Sequence, residues 1–176
     1  MSEQSKNDVT FEEVMFTIIS ATQDVFKSFM NIDLFAGKCE KKLEAIDMHV
    51  VAIVGLAGHR VGYVIIGADE KSASAITKAM LMCEEVDQET LRDAFGELAN
   101  NIAGAFKSKY SEQYGQVKMG LPLVVSGSII PMPVADAEDG TDDQKSRLLN
   151  VRHQQGVIIP FVSIENQMNL RVMVYM

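Results

Sequence analysis

The chain has 176 residues, of which 47% are apolar and 23% charged, and a formal net charge of -8. That length suits one domain with a single core, and the apolar share, which includes eight Phe, four Tyr and eleven Met, excludes a disordered chain. The acidic balance shows no basic density that would hold nucleic acid, and two cysteines and three scattered histidines give neither a disulfide framework nor a metal site.

Residues 1–8 read as a flexible start, and residues 9–176 as one domain. The opening residues lack the basic stretch and apolar run of a signal peptide. The longest apolar stretches, Val50 to Ala57 and Val61 to Ala68, fall far short of the roughly 20 residues that span a bilayer. No membrane insertion is therefore expected, and the cytoplasm is the expected location.

Apolar residues at Phe11, Val14, Met15, Ile18, Ile19, Thr22, Val25, Phe26 and Phe29 recur three and four apart, which predicts an amphipathic helix. Asp8 and Thr10 both suit its N-cap, and Glu13 completes a capping box with Thr10. A polar, mixed strand is expected within Lys38 to Ile46. The Val- and Ile-rich runs His49 to Leu56 and Arg60 to Gly67 predict a hairpin joined by Ala57-Gly58-His59.

Helical period returns from Asp69 to about Cys83, with Ala73, Ile76, Thr77, Met80 and Leu81 on its inner stripe. Asp87 then suits the N-cap of a long helix running to about Tyr110. Its buried stripe is Leu91, Ala94, Phe95, Leu98, Ile102, Ala105 and Phe106. Within residues 117–130, Leu121-Pro122-Leu123-Val124-Val125 reads as a strand whose proline belongs at a sheet edge or strand start. Ala135 to Lys145 is acidic and poorly patterned, a mobile surface loop. Val157 to Ile164 and Met168 to Tyr175 are the last strands, joined through Glu165-Asn166-Gln167. Hairpin-connected strands beside two or three helices make an α+β fold, an α/β sandwich with an antiparallel-rich sheet, and no phosphate-binding glycine motif points to a nucleotide.

The long helix carries the most informative pattern. Asp93, Glu97, Asn100, Asn101 and Gly104 share one side, next to the apolar stripe. Polar helix surfaces are common, but two adjacent asparagines in mid-helix compete with the helical backbone, and Gly104 costs about 1 kcal/mol relative to Ala. A carboxylate docks on a lysine and an amide holds a water, both positioning roles. No Ser, Cys or His nearby forms a nucleophile with its base, and there is no glycosidase-like pair of carboxylates. Positioning is much of what phosphoryl transfer requires when the phosphorylated partner brings its own metal.

These residues resemble the CheC/CheX family of chemotaxis phosphatases, particularly its CheX-like branch. The matching text is Gly96-Glu97-Leu98-Ala99-Asn100-Asn101-Ile102-Ala103-Gly104, then Lys107-Ser108-Lys109, with Asp93 upstream. Leu121-Pro122-Leu123-Val124-Val125-Ser126-Gly127, Gly55-Leu56-Ala57-Gly58 and Ile159-Pro160-Phe161 match elsewhere, in order and spacing.

The resemblance implies a phosphatase acting on the aspartyl phosphate of a CheY-type response regulator. Glu97 would pair with the receiver's lysine and Asn100 would orient the attacking water. Asp93, Asn101 and Gly104 would support the site or contact the partner, and Pro122 would be architectural. The receiver would bring the Mg²⁺, leaving this chain with no intrinsic cofactor or metal. Two-site members of the family repeat Glu-x-x-Asn on the other helix. Here Glu12 and Glu13 have no Asn three residues later, so one site per subunit is expected, in a homodimer. Two other readings stand beside this one: a non-catalytic module that docks a response regulator or another chemotaxis signalling protein, and a sensor with a small molecule between helix and sheet.

Overall fold

The structure, a computed structural model, describes residues 10–40, 46–58, 61–129 and 156–176. Helix α1 (Phe11–Met30) is followed by strands β1 (Phe35–Ala36), β2 (Ile46–Gly58) and β3 (Gly62–Ala68). Helices α2 (Glu70–Leu81) and α3 (Gln88–Tyr114) then precede β4 (Val117–Met119), β5 (Leu123–Ile129), β6 (Gly156–Ser163) and β7 (Met168–Tyr175). Among the described residues the sheet has seven strands in the order β1-β6-β7-β3-β2-β4, with β5 also paired to β2. Every paired strand is antiparallel, the α+β architecture expected from the hairpin pattern.

Each helix begins where a side chain can satisfy its first free N–H groups. Thr10 and Glu13 close the anticipated capping box on α1, the Thr10 N–H donating to Glu13 Oε2 at 2.7 Å. Asp69 accepts from the Ser72 N–H and starts α2, and Asp87 accepts from the Thr90 N–H at 2.7 Å and starts α3. The first two helices stop at residues in the left-handed conformation, Asn31 and Met82.

Strand alternation divides the apolar residues between two faces of the sheet. Val50, Ala52, Val54 and Leu56 of β2 join Val64, Ile66, Ile159, Phe161, Val172 and Val174 in the main core. The helices seal that face with Ile18 and Phe26 of α1, Ile76 of α2, and Phe95, Leu98, Ile102 and Phe106 of α3. A smaller apolar cluster, Val51, Ile65, Ile158 and Met173, lies on the opposite face.

The elements differ from the sequence reading mainly at their ends. Strand β2 extends from Ile46 to Gly58 because it pairs with β3 along one side, and with β5 and β4 along the other. Within the expected Lys38 to Ile46 strand, Glu40 makes an isolated bridge with Ile158, and residues 41–45 lie outside the described residues. Helix α3 continues one turn past Tyr110, with Tyr110 and Tyr114 ring centroids 5.0 Å apart, and ends at Gly115 with φ at 102°. Pro122 sits immediately before β5, as a residue without an N–H should. The acidic segment from Ala135, the N-terminal residues expected to form a flexible start, and the hairpin residues His59 and Arg60 lie outside the described residues.

Candidate functional site

Helix α3 packs against the sheet, α1 and α2. Its inner face buries Leu91, Phe95, Leu98, Ile102 and Phe106, its flank packs against α1, and Lys109 Nζ lies 2.8 Å from Asp24 Oδ2. The Tyr114 phenol at the end of α3 lies near the Glu13 carboxylate at the start of α1. The remaining side presents Asp93 and Glu97 exposed, and Asn100, Asn101 and Gly104 half-buried.

Opposite this side stands the segment leading into β5. The Gly120 N–H donates to the Gly55 carbonyl at 2.8 Å and fixes the segment to β2. Leu121 precedes a proline, which restricts its backbone to extended conformations. Between helix and segment lies a cleft of about 430 Å³, lined by Arg92, Asp93, Gly96, Glu97 and Asn100 on one wall and by Leu121, Pro122 and Val124 on the other. The structure thus brings together Asp93, Glu97, Asn100 and Pro122 from the sequence expectation, while Asn101 and Gly104 stand outside the lining.

Gly96 explains how the two walls meet, and its role was not read from the sequence. It is buried, and a Cβ there would lie 3.4 Å from Val124 Cγ2 and 3.8 Å from Pro122 Cγ. A Cβ there would already touch both residues, so a side chain longer than alanine would have to displace the wall. The available signal was a second helix-interior glycine one turn before Asn100, a position that propensity disfavours. Arg92 and Leu121 were also missed. Gly104 is different: a Cβ there meets nothing within 4 Å, so its small size serves no internal packing.

The polar geometry is specific. Asn101 Nδ2 donates to Glu97 Oε1 at 3.1 Å, whereas the Asn100 side chain makes no hydrogen bond among the described residues. Glu97 therefore keeps an oxygen for an incoming cation, and Asn100 offers both a donor and an acceptor to a water. Among the described residues there is no group of three or more His, Cys, Asp or Glu that could hold a metal ion. On α1, Glu13 is engaged by its capping box, and Glu12 and Glu13 are followed at the Asn position by Met15 and Phe16. A second hollow of about 310 Å³ includes Asp69 and Arg171, but Asp69 is committed to capping α2. No described helix is long and apolar enough to cross a membrane.

The family model for "Chemotaxis phosphatase CheX" matches residues 50–161, well over half of the chain and all of the cleft. The chain belongs to the CheX family. Solved structures support the same fold. A chemotaxis protein CheX from Desulfovibrio desulfuricans is 24% identical with a TM-score of 0.73, over 92% of this chain and 97% of that one. A putative chemotaxis protein from Desulfovibrio vulgaris Hildenborough is 24% identical with a TM-score of 0.74, over 98% and 100%. A complex of CheX with CheY, BeF3 and Mg2+ from Borrelia burgdorferi matches at 20% identity and a TM-score of 0.63, over 92% of this chain and 96% of that one. Curated proteins give no match to the chain.

Proposed function

We propose that this CheX-family chain hydrolyses the aspartyl phosphate of a phosphorylated CheY-type response regulator in the cytoplasm. The observation that carries the reading is the juxtaposition of Glu97 and an uncommitted Asn100 on the wall of one open cleft. Glu97 docks on a lysine of the receiver. Asn100 holds a water in line with phosphorus, so that the P–O bond to the aspartate carboxylate breaks and inorganic phosphate leaves. The receiver supplies the phosphoaspartate and the Mg²⁺ that balances its charge, as phosphoryl transfer requires. The two carboxylates and amide of the cleft fit that division of labour, since they are too few to cage a divalent ion alone.

Asp93 lies one turn before Glu97 and is assigned to docking. Leu121 is 92% exposed at the same cleft and gives the partner an apolar contact. One site per chain follows from the absence of a second acid-amide pair on α1, and the assembly is a homodimer. Exposed apolar area at the β1 edge supports that state: Phe35 is 57% exposed and its cross-strand neighbour Val162 is 37% exposed. Sedimentation at micromolar concentration tests the dimer, and a monomer there refutes it.

The decisive experiment follows decay of a phosphorylated receiver with and without the protein. Asn100→Ala should lower kcat by about a hundredfold, the scale of a lost positioning contact. Glu97→Ala should also raise KM, because docking weakens with it. A wild-type chain that leaves every plausible receiver's decay unchanged refutes the reading. Binding without acceleration would identify a docking module instead.

A further inference from the structure

We propose that Asn101 is a positioning residue that holds the Glu97 carboxylate away from Asn100, leaving the Asn100 amide free for its water. This rests on the phosphatase reading of the same cleft, but its structural half can be tested separately.

Glu97 has two amides within reach on its own helix. At 3.6 residues per turn, Asn101 is displaced by about 40° to one side of Glu97 and Asn100 by about 60° to the other. Both spacings, three and four residues, bring side chains into contact. A bond from Asn100 to Glu97 would join the two working groups to each other, occupy one of the two amide hydrogens and turn the amide toward Glu97 rather than toward a water. The observed bond runs from Asn101 Nδ2 to Glu97 Oε1 at 3.1 Å, on the side away from Asn100. Asn100 lines the cleft and Asn101 does not, which matches a division between a working amide and a restraining one.

The pair also accounts for an otherwise poor choice of residues. Consecutive asparagines weaken a helix interior, and an aliphatic or long charged side chain at Asn101 would stabilise the helix better. An aliphatic side chain would not donate to Glu97, leaving the carboxylate free to close on Asn100, whereas a lysine at this i+4 position would neutralise the charge that docks on the receiver.

The side-chain amide resonances of the full-length chain report the bond directly. In the Glu97→Ala variant the Asn101 amide resonances should shift strongly and those of Asn100 little. In Asn101→Ala, the Asn100 resonances should move downfield as Glu97 is captured, and adding Glu97→Ala should return them. Asn100 resonances that are indifferent to Asn101→Ala would overturn the proposal.

In the dephosphorylation assay, Asn101→Ala should lower kcat about two- to threefold, the competition expected of one exposed hydrogen bond, with KM nearly unchanged. Asn101→Gln, which still donates from the same face, should restore kcat. In the Glu97→Ala background, Asn101→Ala should cost nothing further, because the residue acts only through Glu97. An equal loss in both backgrounds would assign Asn101 an independent role and overturn the proposal. Failure of the wild-type chain to accelerate decay would sink the phosphatase reading, while the resonance shifts would still decide the hydrogen-bond arrangement.

Discussion

Replacing Gly104 with alanine separates folding from function. The residue lies inside α3, with no positive φ to protect and no heavy atom within 4 Å of where a Cβ would stand. Alanine removes the entropic cost of a mid-helix glycine, about 0.8 to 1 kcal/mol, without a clash to offset it. For a chain of this length that gain corresponds to a rise in Tm of about 2 to 4 °C. The Ser108 hydroxyl already bonds to the Gly104 carbonyl at 3.0 Å, and the substitution leaves that contact intact. If the glycine is there to let a partner approach the helix, the more stable variant should bind the receiver more weakly, with a higher KM and the same kcat. Urea and thermal unfolding give the first quantity, and steady-state dephosphorylation the second. A Gly104→Ala protein that is less stable would refute the open-space reasoning, and one that is more stable with unchanged KM would refute the role in partner approach.

The Thr77 hydroxyl is buried without a hydrogen-bond partner among the described residues, so Thr77→Val should raise stability by about 1 kcal/mol, seen as a higher urea midpoint at unchanged m. Leu121→Ala removes an exposed side chain and should leave stability within about 0.5 kcal/mol while raising KM for the receiver several-fold. Asp87 is held below the ordinary carboxylate range chiefly by the Thr90 N–H, and Glu13 chiefly by the Thr10 N–H. Because both values are lowered on folding, their contribution is complete above the ordinary range and is lost as pH falls through the lowered folded values. Hydrogen exchange at the starts of α1 and α3 should therefore accelerate in acid, and Asp87→Asn should abolish that dependence at α3 while keeping the cap.

Much of the fold was legible because its elements are periodic. The stripes from Val14 to Phe26 and from Leu91 to Phe106 are largely buried, whereas Phe29 at the end of α1 and Leu81 at the end of α2, both expected on inner stripes, are exposed; Thr10 and Asp87 cap as their side chains allow. The short strands carried no such signal. Phe35 and Ala36 form β1 only through pairing with Phe161 and Val162, and Val117 to Met119 form β4 only through the end of β2. At the site, helical spacing was enough to put Glu97 and Asn100 on one side. It could not indicate that Pro122 and Val124, from a later segment, would close against Gly96 to form the second wall. Nor could spacing choose between Asn100 and Asn101 as the partner of Glu97, since both are one turn away and only the side-chain conformation decides.

The cleft is therefore built largely from small and restricted residues, with the chemistry added to one wall. Gly96 lets the proline wall approach the helix, and Pro122 and the Gly120 bond to Gly55 hold that wall in place. Helix α3 is capped at Asp87, joined to α1 through the Lys109–Asp24 ion pair, and packed on the sheet. On the proposed reading, a surface held in this way loses little freedom when a receiver docks, so more of the contact energy remains for orienting the water. In the proposed reaction the cleft's own groups only position, so rate acceleration comes from how firmly one acid and one amide are presented.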